Sequence, residues 1–431
     1  MTDRLKIDRS NEYWERARKL IPAGTQTFSK GPTQYVDGVA PKYLARGDGC
    51  HVWDVDGNEF IDHVLGLGAL TLGYHNPKVD EAVTRQLRDG PTFSLMHPLE
   101  VEVSEKLVEL IPCAEMVRFG KNGSDVTSGA VRAARAYTGR EKIACCGYHG
   151  WQDWYIGTTT RAKGVPESTK ELTLPFRYND LQSLEELFAA NPGEIAAVIM
   201  EAIAIEEPAA GFLADVKELA HRNGALLIFD EVVNGFRLAI AGAQEYYGVV
   251  PDMATFGKGM ANGMPLAAVV GSAEVMKEFG EVFFSFTFGG EALSLAAAMA
   301  TIAVFETESV IEHIAKQGRK LLNGYNRLAA EHGLAEITQA KGVPAHSVMY
   351  FNAVGAADPL LLKSLFQQEA LKRGILTLAL HNMCLAMSDA DIEVTLNAYN
   401  EALAVLKKAV DDDSVAARLE GEPIRPIFTR W

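Results

Sequence analysis

The stretch ALLIFDEVVNGFR at Ala225–Arg237, followed by ATFGKGMANGMPLAAVVG at Ala254–Gly271, decides the fold that the sequence predicts. Ala225–Phe229 is a continuous apolar run that is too short for an ordinary helix, so it predicts a strand buried on both faces of a parallel sheet. Asp230 follows at the C-terminal end of this strand, which is the edge where ligands bind in open α/β sheets. Taken alone, Asp230 is equally well explained as a solvated loop acid.

Lys258 shifts that balance toward chemistry. It stands between Gly257 and Gly259, directly after the short apolar segment Met253–Phe256. The flanking glycines allow a tight turn and leave room for a flat group beside the amine. A lysine among apolar neighbours loses its proton more readily, as a Schiff-base lysine must. An acid after one strand and a lysine after the next are the two protein groups that pyridoxal phosphate needs, a partner for its pyridinium nitrogen and a covalent anchor.

These two motifs, with Lys258 placed 28 residues after Asp230, resemble the class III, or subgroup II, pyridoxal-phosphate aminotransferases. The GFR tail at Gly235–Arg237 is most similar to the glutamate-1-semialdehyde 2,1-aminomutase branch, and the similarity covers roughly Asn11–Ala404. The resemblance implies an α/β protein of fold type I, whose large domain at 66–308 holds a mainly parallel seven-stranded sheet. The N-terminal segment 1–65 then joins a smaller α+β domain at 309–431.

Further elements follow from local patterns. The stretch CHVWDVDGNEFID, ending at Asp62, alternates apolar and polar residues around an Asp-Gly turn and predicts a β-hairpin. The other expected strands share short apolar runs bounded by turn signals. They are Met116–Phe119, Lys142–Cys146, Ile195–Met200, Leu266–Ser272, Phe283–Phe288, Val348–Phe351 and Ile375–Leu380.

Composition excludes some classes of function. The chain has 431 residues with 48% apolar content and a formal net charge of -15. That charge argues against nucleic acid or an anionic membrane as the main partner, since both require basic surface. Ala292–Phe305 is nearly all apolar, yet it is shorter than the roughly 20 residues that span a bilayer, so it predicts a buried helix.

The cysteines and the N-terminus indicate the compartment. The five cysteines are odd in number and show no zinc-ligand spacing, so the sequence predicts no metal site. Adjacent Cys145 and Cys146 are expected to pack as small apolar residues rather than to bond to one another. The charged N-terminus has no apolar core, so the sequence predicts no secretory signal there. A cytoplasmic location is therefore the default expectation.

The segment Lys121–Val126 precedes a helix that continues through Tyr137. Ser124 or Asp125 can cap this helix, and the open amides of its first turn form a phosphate cradle by construction. A Gly-Ser-Asp sequence before a helix is also common as simple capping. In the resembled family this loop binds the cofactor phosphate, which implies that role for Gly123, Ser124 and Asp125.

Aromatic and acidic residues complete the implied cofactor site. Tyr148 stands on a glycine-flanked turn after a strand, where a ring can stack on a flat heterocycle or pack in the core. The resemblance places Tyr148 on one face of the pyridine and Val232 on the other. His149 is expected to shape this loop within the cofactor site. Glu201, the acid at the end of another strand, falls at the rim of the site.

The segment Ser285–Gly290 resembles the one through which the second subunit of the dimer reaches the cofactor phosphate. Thr287 is the matching position. The resemblance therefore implies a homodimer in which each active site is built from both chains.

Substrate residues are where this chain departs from the aminomutases. Lys30 falls where they carry a substrate-binding arginine, Leu67 where they carry a tryptophan, and their glutamate near Ala379 is missing. The stretch Leu378–Ser388 also lacks the arginine that many class III enzymes use for the donor carboxylate. These departures favour an intermolecular aminotransferase, with glutamate as donor and a keto or aldehydo sugar, or another polar carbonyl compound, as acceptor. The candidate substrate contacts are Lys30, Leu67, His381 and Asn382.

Two alternatives remain open at this stage. An aminomutase would interconvert positional isomers without a second substrate, and a cofactor-binding scaffold would have an inert Lys258. In the favoured reaction Lys258 is displaced by the substrate amine and then acts as general base and acid. Asp230 stays ionised beside the positive pyridinium and keeps the ring an electron sink.

Overall fold

The computed structural model describes residues 5–203 and 205–428, and it divides the chain into two compact units. Unit 1 comprises Met1–Asn76 and Glu312–Ile427, and unit 2 comprises Pro77–Ile311 and Phe428–Trp431. The N-terminal part of unit 1 extends past residue 65 because the backbones of Gly49 and Tyr74 exchange two hydrogen bonds, of 2.7 and 3.0 Å. The small unit is therefore formed from both ends of the chain.

The strands are short, as is usual in α/β proteins. They are β1 Leu44–Asp48, β2 His51–Asp54, β3 Glu59–Asp62, β4 Met116–Gly120, β5 Lys142–Cys146, β6 Thr173–Pro175, β7 Ile195–Met200, β8 Leu226–Asp230, β9 Met253–Phe256, β10 Ala267–Gly271, β11 Thr338–Val343, β12 His346–Phe351, β13 Ile375–Leu376 and β14 Leu380–Asn382.

The helices range from single turns to long amphipathic helices. They are α1 Asp8–Leu20, α2 Leu65–Gly68, α3 Pro77–Asp89, α4 Pro98–Leu110, α5 Gly123–Thr138, α6 Asp153–Ile156, α7 Glu167–Lys170, α8 Leu181–Ala190, α9 Phe212–Arg222, α10 Ala243–Tyr247, α11 Ala273–Met276, α12 Ala292–Thr307, α13 Val310–Glu331, α14 Pro359–Leu371 and α15 Asp389–Asp411.

Unit 2 is built on a seven-stranded sheet with the order β4-β10-β9-β8-β7-β5-β6. All pairs from β6 to β9 are parallel, and only β10 runs antiparallel to its neighbours. Every residue of β7 and β8 is buried, which agrees with continuous apolar runs covered on both faces. The mainly parallel seven-stranded sheet expected from the sequence is confirmed.

One predicted strand of this unit is wrong. Phe283–Phe288, all of which is described, forms no strand and instead continues into a turn closed by a hydrogen bond from Gly289 N to Phe286 O (3.1 Å). Phe283 is 78% exposed and Phe288 56% exposed. Phe284 packs against the core of unit 2, whereas the other three phenylalanines of the segment are exposed on the single chain.

Unit 1 contains two small sheets, β1-β2-β3-β13 and β11-β12-β14. The predicted hairpin is confirmed as the antiparallel pair β2 and β3. The predicted strand Ile375–Leu380 is broken, because Ala379 has a positive φ of 58° and turns the chain between the two sheets. The first part pairs in parallel with β3, and the second pairs with β12.

Ala292–Phe305 forms helix α12, whose faces are mostly buried, as the sequence predicts. In the described ranges no single helix is long and apolar enough to cross a membrane. Helices α12 and α13 together have the length and composition of a span, but they are bent by 75° at their junction. The cytoplasmic location stays a prediction. The five cysteines, all of them in described positions, form no disulfide.

Candidate active site

Five strands of the large sheet end at one edge, and a candidate site segment follows each of them. Strands β5, β7, β8 and β9 are parallel, and β4 points the same way because β10 is antiparallel to both β4 and β9. Asp230 lies opposite Thr255 in the register of β8 and β9, so Asp230 and Lys258 meet at this edge. In chain order the segments are Asn122–Ser124, Tyr148–His149, Glu201, Asp230 and Lys258.

The Asp230 carboxylate is buried, with 4% exposure, and is held by three donors. Its Oδ1 accepts hydrogen bonds from the backbone amide of Val232 (3.1 Å) and the hydroxyl of Thr255 (3.2 Å). Its Oδ2 lies 2.8 Å from Nδ1 of His149. These three contacts fix the orientation of the Asp230 carboxylate at the end of β8.

His149 contacts Asp230, a role that was not predicted from the sequence. Nδ1 faces the Asp230 carboxylate, and Nε2 lies 3.2 Å from the carbonyl oxygen of Cys146. Both ring nitrogens therefore lie against oxygen atoms, which holds the imidazole in one orientation. The ring also stacks on Trp154, with centroids 6.0 Å apart. His149 therefore fixes the orientation of Asp230, and only its place after β5 could have indicated this.

Lys258 is enclosed at the end of β9. Burial lowers the pKa of its amine below the usual value, and Arg237 adds to this, whereas the carboxylates of Glu201 and Asp230 raise it. Its backbone has a φ of 44°, in the left-handed region that non-glycine residues rarely adopt. A partly buried amine with a lowered pKa is suited to act as nucleophile and proton carrier.

Arg237 and Glu231 also belong to this environment, although the sequence alone did not assign them to the site. The Arg237 side chain is 1% exposed and belongs to the charges that act on Lys258. Glu231 is fully buried and accepts hydrogen bonds from the amides of Ala243 and Gln244, both 2.9 Å, at the start of α10. Burial raises the pKa of Glu231 to about 8, although the two amides oppose the shift. Glu231 therefore has a structural role beside Asp230.

Glu201 lies directly after β7, as expected. Its Oε2 accepts a hydrogen bond of 2.9 Å from the backbone amide of Tyr148. A Cβ on Gly147 would lie only 2.7 Å from the same oxygen, so the glycine lets the loop approach this carboxylate. The contact ties the loop after β5 to the end of β7.

The predicted phosphate cradle lies at the N-terminus of α5, but its cap differs from the prediction. Asn122, rather than Ser124 or Asp125, is the N-cap residue, because its side chain accepts from the amide of Asp125 (3.1 Å). Asp125 in return accepts from the amides of Lys121 and Asn122. This reciprocal capping uses the Asp125 carboxylate and leaves the first-turn amides of Gly123 and Ser124 for an anion.

Ser124 is held in this cradle by the loop that follows His149. Its Oγ accepts a hydrogen bond from the amide of Trp151 (3.0 Å). A Cβ on Gly150 would lie 2.3 Å from Ser124 Oγ and 2.9 Å from Ser124 Cα, and Gly150 has a φ of 108°. The close approach of the two backbones therefore requires glycine at position 150.

Gly150→Ala is expected to lower catalytic efficiency by about 10²-fold, because the first turn of α5 must move to admit the methyl group. Steady-state kinetics and the affinity for pyridoxal phosphate would measure the effect. Gly164→Ala is the matched control, since Gly164 has a similar φ of 92° with no atom within 4 Å of an added Cβ. Equal losses in both variants would show that backbone strain alone, and not the Ser124 contact, causes the defect.

Val232 and Tyr148 are the two residues expected to enclose the cofactor ring. Val232 packs against Gly123 and Gly257, whose added Cβ atoms would lie 3.0 and 3.5 Å from its Cγ1. The ring of Tyr148 is 45% exposed and stacks on Phe428, with centroids 5.9 Å apart and planes 19° from parallel. The contact of Phe428 with Tyr148 has no signal in the sequence.

Thr287 lies on the exposed turn after Phe286, in the same unit as Lys258. Glu291, which follows this turn, caps α12 by accepting from the amides of Leu293 and Ser294. It also forms an ion pair of 3.0 Å with Lys121, in which both side chains are largely buried. Glu291 thus connects this turn to the loop that precedes the phosphate cradle.

The four substrate candidates all lie in unit 1, but in two different environments. Lys30 and Leu67 line a cavity of about 280 Å³, together with Ser29, Tyr35 and Tyr74. Lys42 and Asp62 also line this cavity, so it combines two amines and one carboxyl group with hydroxyl and apolar surface, a mixture typical of small-molecule sites.

His381 and Asn382 are instead part of the packing of unit 1. The ring of His381 is fully buried and lies 2.9 Å from the hydroxyl of Ser347 and 3.2 Å from that of Tyr399. Asn382 donates to the carbonyl of Val64 (2.9 Å) and is 3% exposed. Because their polar atoms have these internal partners, the structure offers no support for contacts from them to substrate hydroxyls.

The side chains at the sheet edge fit pyridoxal phosphate. A partly buried amine and an oriented carboxylate lie at neighbouring strand ends, next to helix amides that can hold a phosphate. Val232 lies beside Gly123 and Gly257, where a bulkier residue would fill the space next to its methyl groups. This set supplies an anchor for the cofactor, a partner for its ring nitrogen and a cradle for its phosphate.

Comparison with known proteins agrees with this geometry. Residues 36–410 match the family model described as aminotransferase class-III. The chain is 36% identical over 418 residues to 3-aminobutyryl-CoA aminotransferase of Cloacimonas acidaminovorans (strain Evry), covering 95% of this chain and 100% of that protein. It is 35% identical over 430 residues to glutamate-1-semialdehyde 2,1-aminomutase of Alkaliphilus oremlandii (strain OhILAs), covering 93% and 100%.

A solved structure is similar over nearly the whole chain. The FumI protein of Sphingopyxis sp. MTA144, determined with pyridoxal phosphate, superposes with a TM-score of 0.88 at 28% identity. The match covers 96% of this chain and 99% of FumI. The similarity therefore includes both units and the sheet edge that carries Lys258.

Proposed function

The chain belongs to the class-III aminotransferases, and on that premise we propose that it transfers an amino group between two separate substrates, from glutamate to a polar carbonyl acceptor. Pyridoxal phosphate is the cofactor of this family of transaminases. The observation that carries the proposal is the arrangement of Lys258, Asp230 and the Gly123–Ser124 amides along one edge of the sheet.

Bound pyridoxal phosphate would supply an electron sink for the bond that breaks at the substrate carbon. Lys258 would hold the cofactor, and its Nζ would carry the proton between the two carbon atoms that exchange it. The lowered pKa of Lys258 favours the neutral amine that this step requires. Asp230, oriented by His149, holds a negative charge toward the ring nitrogen.

The first-turn amides of α5 and Ser124 would fix the phosphate, so that the reacting atoms stay aligned with Lys258. The loop around Tyr148 is attached to Glu201 and would cover the ring. None of these groups decides which carbonyl compound reacts, because all of them would contact the cofactor.

For the substrate we propose a compound with an anionic or strongly polar group. Support comes from the cavity of unit 1, where Lys30 lies among hydroxyl groups and the carboxyl group of Asp62, while the second lysine, Lys42, is paired with Asp37. A lysine binds an anion as a point charge without the bidentate geometry of an arginine, so it places fewer demands on the shape of the anionic group. A keto or aldehydo sugar fits this description, and so does a 3-aminobutyryl thioester, the substrate class in the name of one relative.

The alternative is an intramolecular aminomutase, which the similarity to the glutamate-1-semialdehyde enzymes favours. Lys30 and Leu67 argue against it, since they stand where the family resemblance implies a substrate-binding arginine and a tryptophan in the aminomutases. A non-catalytic scaffold is the remote alternative, and it would leave the lowered pKa and enclosure of Lys258 without a use.

A half-reaction test separates these functions. The holoenzyme is mixed in turn with L-glutamate, glutamate-1-semialdehyde, 3-aminobutyryl-CoA and an amino sugar, and its visible absorption is followed without any acceptor. A transaminase converts cofactor to the aminated form with donor alone, so its visible band falls and a keto product accumulates in stoichiometric amount. Catalytic isomerisation of the semialdehyde with no such product would support the mutase, and no response to any amine would support the scaffold.

We also propose that the active enzyme is a homodimer in which Thr287 reaches the cofactor phosphate of the other subunit. Large apolar side chains are exposed on unit 2 of the single chain, including Leu95 (81%), Met96 (82%) and Phe283 (78%). The amide of Ala292 donates to the carbonyl of Pro91 (2.9 Å), so a residue that precedes Leu95 and Met96 lies beside one that follows Phe283. Exposed apolar surface of this size is typical of an interface.

Subunit complementation tests this arrangement. Thr287→Asp would place a negative charge next to the phosphate, and its homodimer is expected to lose most of its activity. Mixed with Lys258→Ala chains, it should form heterodimers with one intact site, which restores about a quarter of the wild-type activity after random exchange. If no activity returns although heterodimers form, then Thr287 does not act on the other subunit's site.

A further inference from the structure

A cluster of three metal-binding side chain types lies in unit 1, outside the site described above. Cys50, His51 and Asp391 place their Sγ, imidazole nitrogen and carboxylate oxygen within 4.8 Å of one another. Cys50 immediately precedes β2, His51 begins that strand, and Asp391 lies in the first turn of α15. His51 and Asp391 are 340 residues apart, so no spacing motif in the sequence could have revealed the cluster.

The imidazole of His51 is oriented as in metal sites. Its Nδ1 lies 3.0 Å from Oε1 of Glu59, and its Nε2 lies 3.0 Å from Oδ1 of Asp391. Histidine ligands commonly donate their second ring N–H to a carboxylate, which fixes the ring and makes the ligating nitrogen more basic. Glu59 therefore supplies the supporting contact, and Nε2 is directed at the other two ligands.

The Asp391 carboxylate is held with one oxygen available. Its Oδ2 accepts from the amide of Ser388 (2.8 Å) and from the Ser388 hydroxyl (2.6 Å). The other oxygen, Oδ1, faces His51. Ser388 caps α15, so the position of this carboxylate is fixed by the start of the helix.

Cys50 completes the set with a soft ligand. Its side chain is 1% exposed, and Asp391 is among the groups that face it. His51 and Asp391 retain side-chain exposures of 33% and 16%, which leaves a path for solvent and ions. A buried thiol beside an accessible imidazole and carboxylate suits an ion that enters from the surface and binds sulfur, nitrogen and oxygen together.

We propose that Cys50, His51 and Asp391 bind one Zn²⁺ per chain, with a water molecule as the fourth ligand. The mixture of thiolate, imidazole and carboxylate favours Zn²⁺ over Mg²⁺ or Ca²⁺, which prefer oxygen ligands alone. Binding replaces the proton of the Cys50 thiol, which passes to solvent, and involves no oxidation or reduction. The ion would connect β2 to α15 and so fasten the N-terminal strands of unit 1 to its last long helix.

The test uses the full-length holoenzyme in a thiol-free reductant. The protein is stripped with a chelator, incubated with one equivalent of Zn²⁺, separated by gel filtration and analysed for metal by mass spectrometry. The wild type should retain close to one zinc per chain. Cys50→Ser, His51→Gln and Asp391→Asn should each bind zinc at least about tenfold more weakly in competition with a chelating dye.

Two variants serve as matched controls. Asp389→Asn removes a carboxylate from the same turn of α15, where Asp389 bonds Gln317 instead of the cluster. Cys113→Ser removes a buried thiol of unit 2 that lies next to the side chain of Gln244. Both should bind zinc as the wild type does. Cobalt-loaded wild-type protein gives an answer without any variant, through visible bands of four-coordinate Co²⁺ with thiolate ligation at wavelengths beyond the cofactor absorption.

Retention of zinc at the wild-type affinity by the three ligand variants would overturn the proposal. So would a wild-type protein that retains no zinc above background and shows no four-coordinate cobalt spectrum, because the cluster would then be a hydrogen-bonded network only. Since neither outcome depends on aminotransferase activity, this test stands apart from the proposed function.

Discussion

Lys258→Ala is expected to lower kcat by about 10⁴-fold or more, because the variant loses both the covalent anchor and the group that moves the proton. The phosphate cradle does not involve Lys258, so pyridoxal phosphate should still bind, with a spectrum of the unanchored aldehyde. Steady-state kinetics with the donor identified by the half-reaction test, together with absorption spectra, would measure both effects.

Chemical rescue sharpens this prediction. A small amine such as methylamine can enter the space vacated by the side chain and should restore part of the rate, which a purely structural defect would not allow. Lys277→Ala is the control, because Lys277 lies in an exposed 3₁₀ turn at Lys277–Gly280 of the same unit. Turnover of Lys258→Ala close to the wild-type rate would refute the assignment of Lys258.

Asp230→Asn is expected to lower kcat/KM by about 10²- to 10⁴-fold, since the amide keeps the shape of the side chain but removes its charge. Without the carboxylate the ring nitrogen of the cofactor loses its anionic partner, and the electron sink weakens. The hydrogen bonds from Val232 and Thr255 can still reach the remaining oxygen, so the fold should tolerate the change.

The chain provides a matched control for Asp230 at the other edge of the same sheet. Asp252 immediately precedes β9, and its Oδ2 lies 2.8 Å from Nε2 of His221, which repeats the pairing of Asp230 with His149. Asp252→Asn removes an acid–histidine contact far from the C-terminal strand ends and should leave kcat/KM within about threefold of the wild type. Equal losses in the two variants would indicate that stability, and not cofactor chemistry, explains the effect of Asp230→Asn.

The fold was largely predictable from local patterns in the sequence. Buried strands such as β7 and β8 are continuous apolar runs, and α12 is an apolar segment too short to span a membrane. The prediction of strands failed where apolar residues do not lie in the core. Phe283 and Phe288 are exposed on the single chain, and a local pattern cannot distinguish residues that face a partner from residues that face a core.

The candidate site was predictable to the extent that its residues stand in recognisable motifs. Lys258 and Asp230 could be found because each follows an apolar strand and precedes a distinctive turn. The roles of His149, Glu291 and Asn122 could not be assigned, because each depends on a hydrogen-bond partner or a cap geometry that only the folded chain defines. His381 and Asn382 show the reverse case, since polar residues near a site can equally be buried within the packing.

The sequence by itself predicted most strands of the large sheet, the position of Lys258 and Asp230 after neighbouring strands, and the family, since these depend on residue type and on spacing along one stretch of chain. The tertiary structure alone decided which distant groups meet. It brought His149 to Asp230, Lys121 to Glu291 and Asp391 to His51, pairs separated by 81, 170 and 340 residues. The physical reason is that hydrogen bonds and ion pairs act over a few ångströms in space, and only the path of the folded backbone sets those distances.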